Sequence, residues 1–471
     1  MKNDNNNVLN NDELFELIWP GKKDAISLAN TPSSKNLILD TLDSFSKDGK
    51  KGSADSENMY IEGDNLDVLK LLKKDFLGKI KIIYIDPPYN TRKDTFAYND
   101  DYSKSKKESK QETKDDNYIN KNLKNSQRLH TDWLNMMYPR LILARELLSD
   151  DGVIFISIDD NEHANLKIIC DEIFGEDNFI SNFKWNRVKK APSLSNSIRT
   201  KYEYILAYYK KNHFKLFGKA SYNKQAPLWH LPNKKQMLIF PKKSIRVKND
   251  FLKGYYGGSY QVELFDDLIY ENGLNKNEVK IEACSAWGQE KILKYINEGK
   301  TFEIKKDLKT LYYDMDNKNN FIAPSDIINN EECSVKSNLE ASKELNDLGI
   351  PFEYSKPTNL IEYLLNMVRV NDSSNIVLDF FSGSATTAHA VMKLNSEDNG
   401  RRKFIMVELP QCCNQKSKAF SEGYKNICEI GKERIRRAGE KIKEKMPILT
   451  HSLDIGFRVF KVDENCKNGN S

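Results

Sequence analysis

The chain has 471 residues, enough for two or more domains on the usual scale of about 100–200 residues each and too many for a single-motif module. Its 73 Lys and Arg against 68 Asp and Glu leave a formal charge of +5, which permits nucleic-acid binding without demanding it. Seven cysteines without a CxxC pair give neither a disulfide framework nor a zinc site, the six histidines form no HExxH, and no run has the length of a membrane span or the character of a signal peptide; a cytoplasmic chain with no membrane partner and no metal is expected.

In chain order, an amphipathic opening around Leu14 to Trp19 gives way to the polar stretch "SKDGKKGSADSEN", residues 46–58, a surface loop. "MYIEGD" then reads as a short strand, "NLDVLKLLKKDF" as a helix and "KIIYID" as a second strand, a strand–helix–strand unit. The lysine-rich segment 103–127 reads as a solvated loop. Residues 130–160 read as a helix of about 15 residues, a turn at Asp151 and Gly152, and a strand ending in acids. "ANLKIICDEIF" is a further helix, and "FISNFKWNRV" and "KYEYILAYYK" are aromatic strands. From 211 to 345 the rhythm breaks into irregular lengths, scattered aromatics and basic clusters, which marks an inserted domain. The α/β alternation resumes with "PTNLIEYLLNMV" as helix, "NIVLDFFSGSATTAHAVMKLN" as strand, loop and helix, "RRKFIMVELP" as strand, and a basic helix from about Asn426 to Lys445.

Two constellations carry chemistry. In "KIIYIDPPYNT", residues 81–91, an apolar strand ends at Asp86, because Pro87 and Pro88 cannot donate to a ladder. The carboxylate therefore stands at a strand's C-terminal end, where open α/β sheets bind ligands. A carboxylate and a peptide carbonyl aimed at one place, beside the flat face of Tyr89, suit a planar base with an exocyclic amine, which in a duplex must be flipped out to be reached. In "VLDFFSGSATTAHAV", residues 377–391, a strand ending in Asp379 enters a loop of small residues and then a helix, so that backbone N–H groups face the same kind of edge. Glu408 ends the next strand and is placed to accept hydrogen bonds from ribose hydroxyls, which points to a ligand with an adenosine end.

With DPPY at 86–89 ahead of an FxGxx loop at 381–385, the chain resembles the β-class DNA amino-methyltransferases. More narrowly, "IEGDNLDVLKLL", "IDPPYNT", "HTDWLNMMYPRLILARELLSDDGVIFISIDDNE" and "DFFSGSATTAHAVM" resemble the modification subunits of type III restriction-modification systems, over about residues 59–210 and 350–440. The resemblance implies S-adenosyl-L-methionine as methyl donor and adenine N6 of double-stranded DNA as acceptor, with cytosine N4 as the alternative. It also implies a homodimer and a partnership with an ATP-dependent restriction endonuclease subunit, against the alternative of a solitary methyltransferase.

The fold it implies is α/β: a circularly permuted, Rossmann-like methyltransferase sheet of seven strands with an inserted target-recognition domain. The expected division is an N-terminal extension, 1–58; the catalytic half, 59–210; the target-recognition domain, 211–345; the cofactor-loop half, 346–445; and a C-terminal extension, 446–471. By the family pattern Asp86, Pro87, Pro88 and Tyr89 are catalytic. Asp64 and Asn65 would contact the cofactor's adenine and Glu408 its ribose. Phe381, Gly383, Ser384 and Thr386, following Asp379, would hold the methionine part with Asp86, and Lys356 would lie near its carboxylate. The family loop usually has a second glycine where this chain has Ala385, which is tolerated if Ala385 begins the helix.

In the middle segment Lys242, Lys243, Arg246 and Lys248 suit phosphate contact, Tyr255, Tyr256 and Tyr260 suit base-edge approach, and Gly257 and Gly258 mark a turn. A nuclease is a competing class, since Asp266 or Asp267 followed by "EVK" at 278–280 has the outline of a metal-binding nuclease site; a catalytically silent DNA-binding subunit is another.

Overall fold

A computed structural model describes residues 16–91, 118–189, 198–211, 213–218, 225–229, 233–256, 262–305, 307–314, 322–352, 354–368, 375–445 and 453–463, with side chains in the helix from 118 onward described from residue 129. The chain divides into two units, Met1–Gly218 with Ala323–Ser471, and Lys219–Ile322.

The first unit is built on one ten-stranded sheet. Its strands are β1 (Asn36–Phe45), β2 (Met59–Glu62), β3 (Ile80–Ile85), β4 (Leu148–Ile158), β5 (Phe179–Asn186), β6 (Tyr202–Tyr209), β7 (Ile327–Ile328), β8 (Ile376–Asp379), β9 (Lys403–Glu408) and β10 (Phe457–Asp463). Across the sheet they run β1-β10-β2-β9-β8-β3-β4-β6-β5-β7. From β10 through β4 all neighbours are parallel, whereas β6 is antiparallel to both β4 and β5, and β1 to β10. β8 and β9, late in the chain, lie between β2 and β3, which come early: this is the permuted order. Seven of the strands match the number the resemblance implies; β1, β7 and β10 are additional, and β1 and β10 come from the segments expected as terminal extensions.

The longer helices of this unit, among the described residues, are α1 (Lys22–Asn30), α2 (Asn65–Phe76), α3 (Tyr118–Leu147), α4 (His163–Phe174), α5 (Asn338–Asp347), α6 (Thr358–Met367), α7 (Thr386–Asp398) and α8 (Ile427–Lys445). Side chains of α1 to α4 cover one face of the sheet and share a core with Ile83, Ile85, Ile154 and Ile405; those of α6 to α8 cover the other, with Ile82, Tyr84, Val377 and Met406. Alternate residues of one strand thus enter opposite cores, as the two-residue period requires, and β3, buried at all six residues, is apolar except for Lys81. α2 starts where Asp64 caps it, its carboxylate accepting the Leu66 N–H at 2.8 Å, and Lys73 and Lys74 stand in its last turn, the favourable sign for a helix dipole.

Two local expectations change. Helix α3 begins at 118, so the stretch read as a loop to 127 is helical over its last ten residues; residues 103–117 lie outside the described residues. Asp151 and Gly152 do not form a turn but lie inside β4, where the pairing with β3 shifts register between Ile80 and Ile82; a Cβ on Gly152 would fall 2.9 Å from the Ser149 carbonyl oxygen, so a glycine is required there.

The second unit holds a four-stranded antiparallel sheet, with Lys235–Phe240 and Val279–Cys284 paired along their length, and a six-stranded sheet of short strands that includes Ile245–Arg246. Leu238, Phe240, Ile281 and Phe302 form its own core, packed against the helix Gln289–Asn297. Its boundaries leave 211–218 and 323–345 with the first unit, where β7 and part of α5 lie.

Candidate active site

Asp86 follows the buried β3 directly, and the two prolines stop the ladder there. Its side chain retains 26% exposure, and both oxygens are held by the Lys356 ammonium, at 2.8 and 2.7 Å. The Tyr89 hydroxyl stands 2.9 Å from Asp86 Oδ1 and 3.1 Å from Glu203 Oε2, and accepts from Lys356 Nζ at 2.8 Å. Glu203, near the start of β6, also lies 3.5 Å from Lys356 Nζ, and Arg187 Nη1 lies 3.5 Å from its other oxygen. Lys356 further sits over the rings of Tyr89 and Trp185, 5.0 and 5.9 Å from their centroids.

Burial disfavours the Lys356 ammonium, but Asp86 and Glu203 beside it more than offset this and hold its pKa above the ordinary lysine value. Desolvation, reinforced by the charges of Asp86 and Glu203, lifts the Tyr89 phenol well above its usual range, so Tyr89 remains a neutral donor.

The motif loop is fixed from behind. Trp133 Nε1 donates to the Pro88 carbonyl at 2.7 Å, and Asn90 adopts a left-handed conformation, φ 57°. The Asn90 amide donates to the Leu129 carbonyl at 3.2 Å and to the fully buried Glu162, which also takes His130 Nδ1 at 2.6 Å.

Next to β3 in the sheet, β8 delivers Asp379 to the same edge. Its oxygens close the loop on itself: Oδ1 accepts the Phe381 N–H at 3.1 Å and Oδ2 the Thr387 hydroxyl at 2.6 Å, while burial pushes its pKa up to about 8. At the end of β9, Glu408 Oε2 accepts the Gly383 N–H at 2.5 Å; burial pushes this carboxyl up to about 7, and among the described residues no cation lies at ion-pair distance from it. Gly383 has φ 50°, and a Cβ added there would meet only Phe352, at 3.8 Å, so the loop backbone is approachable from that side.

Ala385 occupies the N-cap of α7 with φ 60° and ψ 42°, a left-handed conformation that glycine adopts freely. Ser384 and Thr386 turn their hydroxyls to the guanidinium of Arg434, whose Nη1 donates to them at 2.8 and 2.7 Å and to Ser355 at 2.9 Å. Arg434 is fully buried, which lowers its pKa to about 10. Asn65 is also fully buried: its amide donates to the Phe380 carbonyl at 2.7 Å and its oxygen accepts from Arg140 Nε, while Arg140 Nη2 reaches Asp64 at 3.2 Å.

The structure thus brings Asp86, Pro87, Pro88, Tyr89 and Lys356 together at the end of β3, and Asp64, Asn65, Asp379, Phe381, Gly383, Ser384, Thr386 and Glu408 around the ends of β2, β8 and β9. Lys356 lies on Asp86. In the second unit Lys242, Lys243, Arg246 and Lys248 are all exposed on one short segment, with Arg246 paired to Asp314 at 3.0 Å; Tyr255 is exposed, Tyr256 bonds the Leu252 carbonyl, and Gly257, Gly258 and Tyr260 lie outside the described residues. Asp267 accepts the Lys253 N–H at 2.6 Å, and among the described residues no group of three ligand-type side chains is placed to hold a metal.

Glu203, Arg434, Arg140, Trp133 and the Glu162–His130 pair escaped the sequence reading. A signal existed for the two arginines. Arg434 falls on the apolar i+4 stripe of Ile430, Ala438 and Ile442, and Arg140 on that of Trp133, Met136, Met137, Ala144 and Leu147, so each charge has to enter the core.

Residues 80–419 match the DNA methylase family of N6/N4 methyltransferases. The chain is 34% identical over 424 residues to the StyLTI Mod subunit of a type III restriction-modification enzyme of Salmonella typhimurium (strain LT2), an alignment covering 86% of this chain and 60% of that one. It is 33% identical over 476 residues to the EcoPI Mod subunit of Escherichia phage P1 and 30% identical over 493 residues to the EcoP15I Mod subunit of Escherichia coli; these cover 95% and 96% of this chain and 71% of each relative. The chain therefore spans about 60–71% of the length of these relatives. It belongs to the DNA methylase family, alongside the Mod subunits of type III restriction-modification enzymes.

Proposed function

We propose that this chain is a site-specific DNA methyltransferase that moves the methyl group of S-adenosylmethionine to N6 of a flipped adenine, as the modification subunit of a type III-like restriction-modification system. The observation that carries the reading is the adjacency of β3 and β8. It places the Asp86-Pro-Pro-Tyr89 motif and the Gly383–Glu408 cradle on one edge of one sheet, although the two are some three hundred positions apart in the chain.

The cradle fits the cofactor. Glu408 uses one oxygen on Gly383, and a carboxylate has about four lone-pair sites, so it retains acceptors for ribose hydroxyls. Asp64 stands at the head of α2, and Gly383 leaves the loop backbone open. When bound there, S-adenosylmethionine supplies an electrophilic methyl group. The chain's own work is to hold and polarise the acceptor: Asp86 and the Pro87 carbonyl accept the two amine hydrogens, drawing the nitrogen lone pair out of conjugation, and Tyr89 stacks on the base. No strong base is required before attack, because the amine proton becomes acidic only as the new bond forms. Catalysis rests on positioning and electrostatics.

The second unit is proposed as the target-recognition domain, with Lys242, Lys243 and Lys248 at phosphates. A restriction subunit is the proposed partner, on the strength of the relatives' names as Mod subunits of type III restriction-modification enzymes; its ATP dependence and a homodimer are proposed on the family resemblance alone. No helix among the described residues is long and apolar enough to cross a membrane.

The test is transfer of labelled methyl from S-adenosylmethionine to mixed genomic DNA, with nucleoside analysis of the product. The wild type yields N6-methyladenine, and Asp86→Ala lowers the rate by about 10²–10³-fold, the range for loss of a preorganised polar group. N4-methylcytosine would retain the mechanism and move the acceptor. Absence of transfer to any DNA would overturn the reading.

A further inference from the structure

Three of the roughly four lone-pair sites of Asp86 are occupied as it stands. Lys356 spans both of its oxygens and Tyr89 adds a third contact at Oδ1, so an incoming amine competes with an ammonium, a stronger donor than any N–H of a neutral base. An ammonium held 2.7 Å from Asp86 also opposes positive charge growing on an amine that Asp86 binds. A second acceptor is already in place: Glu203 Oε2 lies 3.5 Å from Lys356 Nζ, outside ideal hydrogen-bond range but within about 1 Å of it. The Tyr89 hydroxyl, poised 2.9 Å from Asp86 and 3.1 Å from Glu203, has one hydrogen to give and two acceptors to choose between. Arg187 at 3.5 Å balances the second carboxylate, so two acids and two bases make a neutral set in either arrangement.

We propose that Glu203 is a positioning residue for methyl transfer: it is the alternative counter-ion to which Lys356 and the Tyr89 hydroxyl turn when Asp86 takes up the acceptor amine. The proposal rests on the reading of the site as an amine methyltransferase and deepens it. The ligand-free arrangement is then a closed one in which Lys356 shields Asp86, and the flexible lysine stem makes the exchange a small side-chain movement. Without the Glu203 charge, Asp86 is the one carboxylate among the described residues left at ion-pair distance from Lys356, which stays there.

The experiment uses the full chain as wild type, Glu203→Gln, Glu203→Asp, Lys356→Gln and the Glu203→Gln/Lys356→Gln double variant, on a duplex whose target is first mapped on genomic DNA methylated by the wild type. Cofactor affinity is read by calorimetry, base acceptance by the fluorescence of 2-aminopurine at the target position without cofactor, and transfer by single-turnover rate. Glu203→Gln is expected to lower the transfer rate about tenfold and to reduce the 2-aminopurine signal, with S-adenosylmethionine affinity within about twofold of wild type. Glu203→Asp, which keeps the charge, recovers part of the loss. In the Lys356→Gln background the same Glu203→Gln change alters the rate by less than about twofold, because no ammonium is left to redirect. An equal loss in both backgrounds, an unchanged rate, or a parallel loss of cofactor binding overturns the proposal. A wild type that transfers no methyl overturns instead the reading of the site, and this role for Glu203 with it.

Discussion

Asp86 and Glu408 end two strands of one sheet with only β8 between them, yet they live under opposite electrostatics. Asp86 is partly exposed and carries an ammonium on both oxygens; Glu408 is buried, accepts a backbone N–H, and among the described residues has no cation at ion-pair distance. A third acid of the same edge, Asp64, stands between these cases, a quarter exposed and 3.2 Å from the fully buried Arg140. The difference teaches that one edge of a parallel sheet carries distinct tasks through its surroundings alone. A carboxylate spanned by an ammonium already has its charge matched, whereas burial raises the pKa of an unmatched one, Glu408, until hydroxyl donors reach it.

The largest break in this comparison comes from the intermediate case. Arg140→Met takes away a partner of the partly exposed Asp64 and leaves the fully buried Asn65 oxygen short of a charged donor. A loss of about 2–4 kcal/mol is expected, the range for stranding one side of a buried charged pair. A fall in the urea midpoint at unchanged slope checks it, and weaker cofactor binding accompanies it, because Asp64 caps α2 and Asn65 ties the head of that helix to the Phe380 carbonyl. A midpoint unmoved would show that Asp64 needs no counter-ion, and would collapse the distinction between it and Glu408.

Glu408 provides the next test. Its folded pKa, about 7, lies above the ordinary value of 4.5, so the folded chain binds the proton more tightly than the unfolded one. The stability tied to this proton is present in full below about pH 4.5 and is lost as pH rises through 7. Cofactor binding runs the other way, since ribose hydroxyls donate to the ionised form. Affinity for S-adenosylmethionine is therefore expected to rise about tenfold between pH 6 and 8, with proton release on binding measured by calorimetry in buffers of different ionisation enthalpy. Glu408→Gln removes the part of the profile centred near 7. A profile already flat in the wild type would place Glu408 with the compensated acids.

Legibility in the sequence followed the same divide. The β3 strand and its DPPY end were readable because prolines after an apolar run have one physical meaning, and Glu408 because it closes another apolar run. The sheet order was not readable from periodicity, since nothing local says that β8 enters between β3 and β9; that expectation came from the resemblance. Sequence gives Asn65 and Asp379 a place at the cofactor edge but says nothing of their neighbours: the structure shows Asn65 hydrogen-bonded with Phe380 and Arg140, and Asp379 with Phe381 and Thr387. Glu203 was invisible because a strand of aromatics gives no reason to single out its one acid, whose meaning comes only from Lys356, over 150 positions away.

The smallest effect expected is at Ala385, in the loop that presents Gly383 to Glu408. A left-handed conformation costs a residue with a Cβ about 1 kcal/mol or more, and glycine is spared this. The Ala385 methyl is, however, fully buried against the α6–α8 core, and losing one buried methyl costs about 0.8 kcal/mol, while the freer unfolded glycine costs about 0.4–1 kcal/mol more. These terms oppose each other, so Ala385→Gly is expected to shift stability by no more than about 0.5–1 kcal/mol in thermal or urea unfolding. Ala385→Val separates them: a β-branched residue adds strain at the same φ and overfills the core, and a loss of about 2 kcal/mol or more is expected. If glycine proved strongly stabilising, the methyl would be contributing nothing to the core. If it proved strongly destabilising, the packed methyl, and not the backbone, would be what sets the loop that holds Glu408.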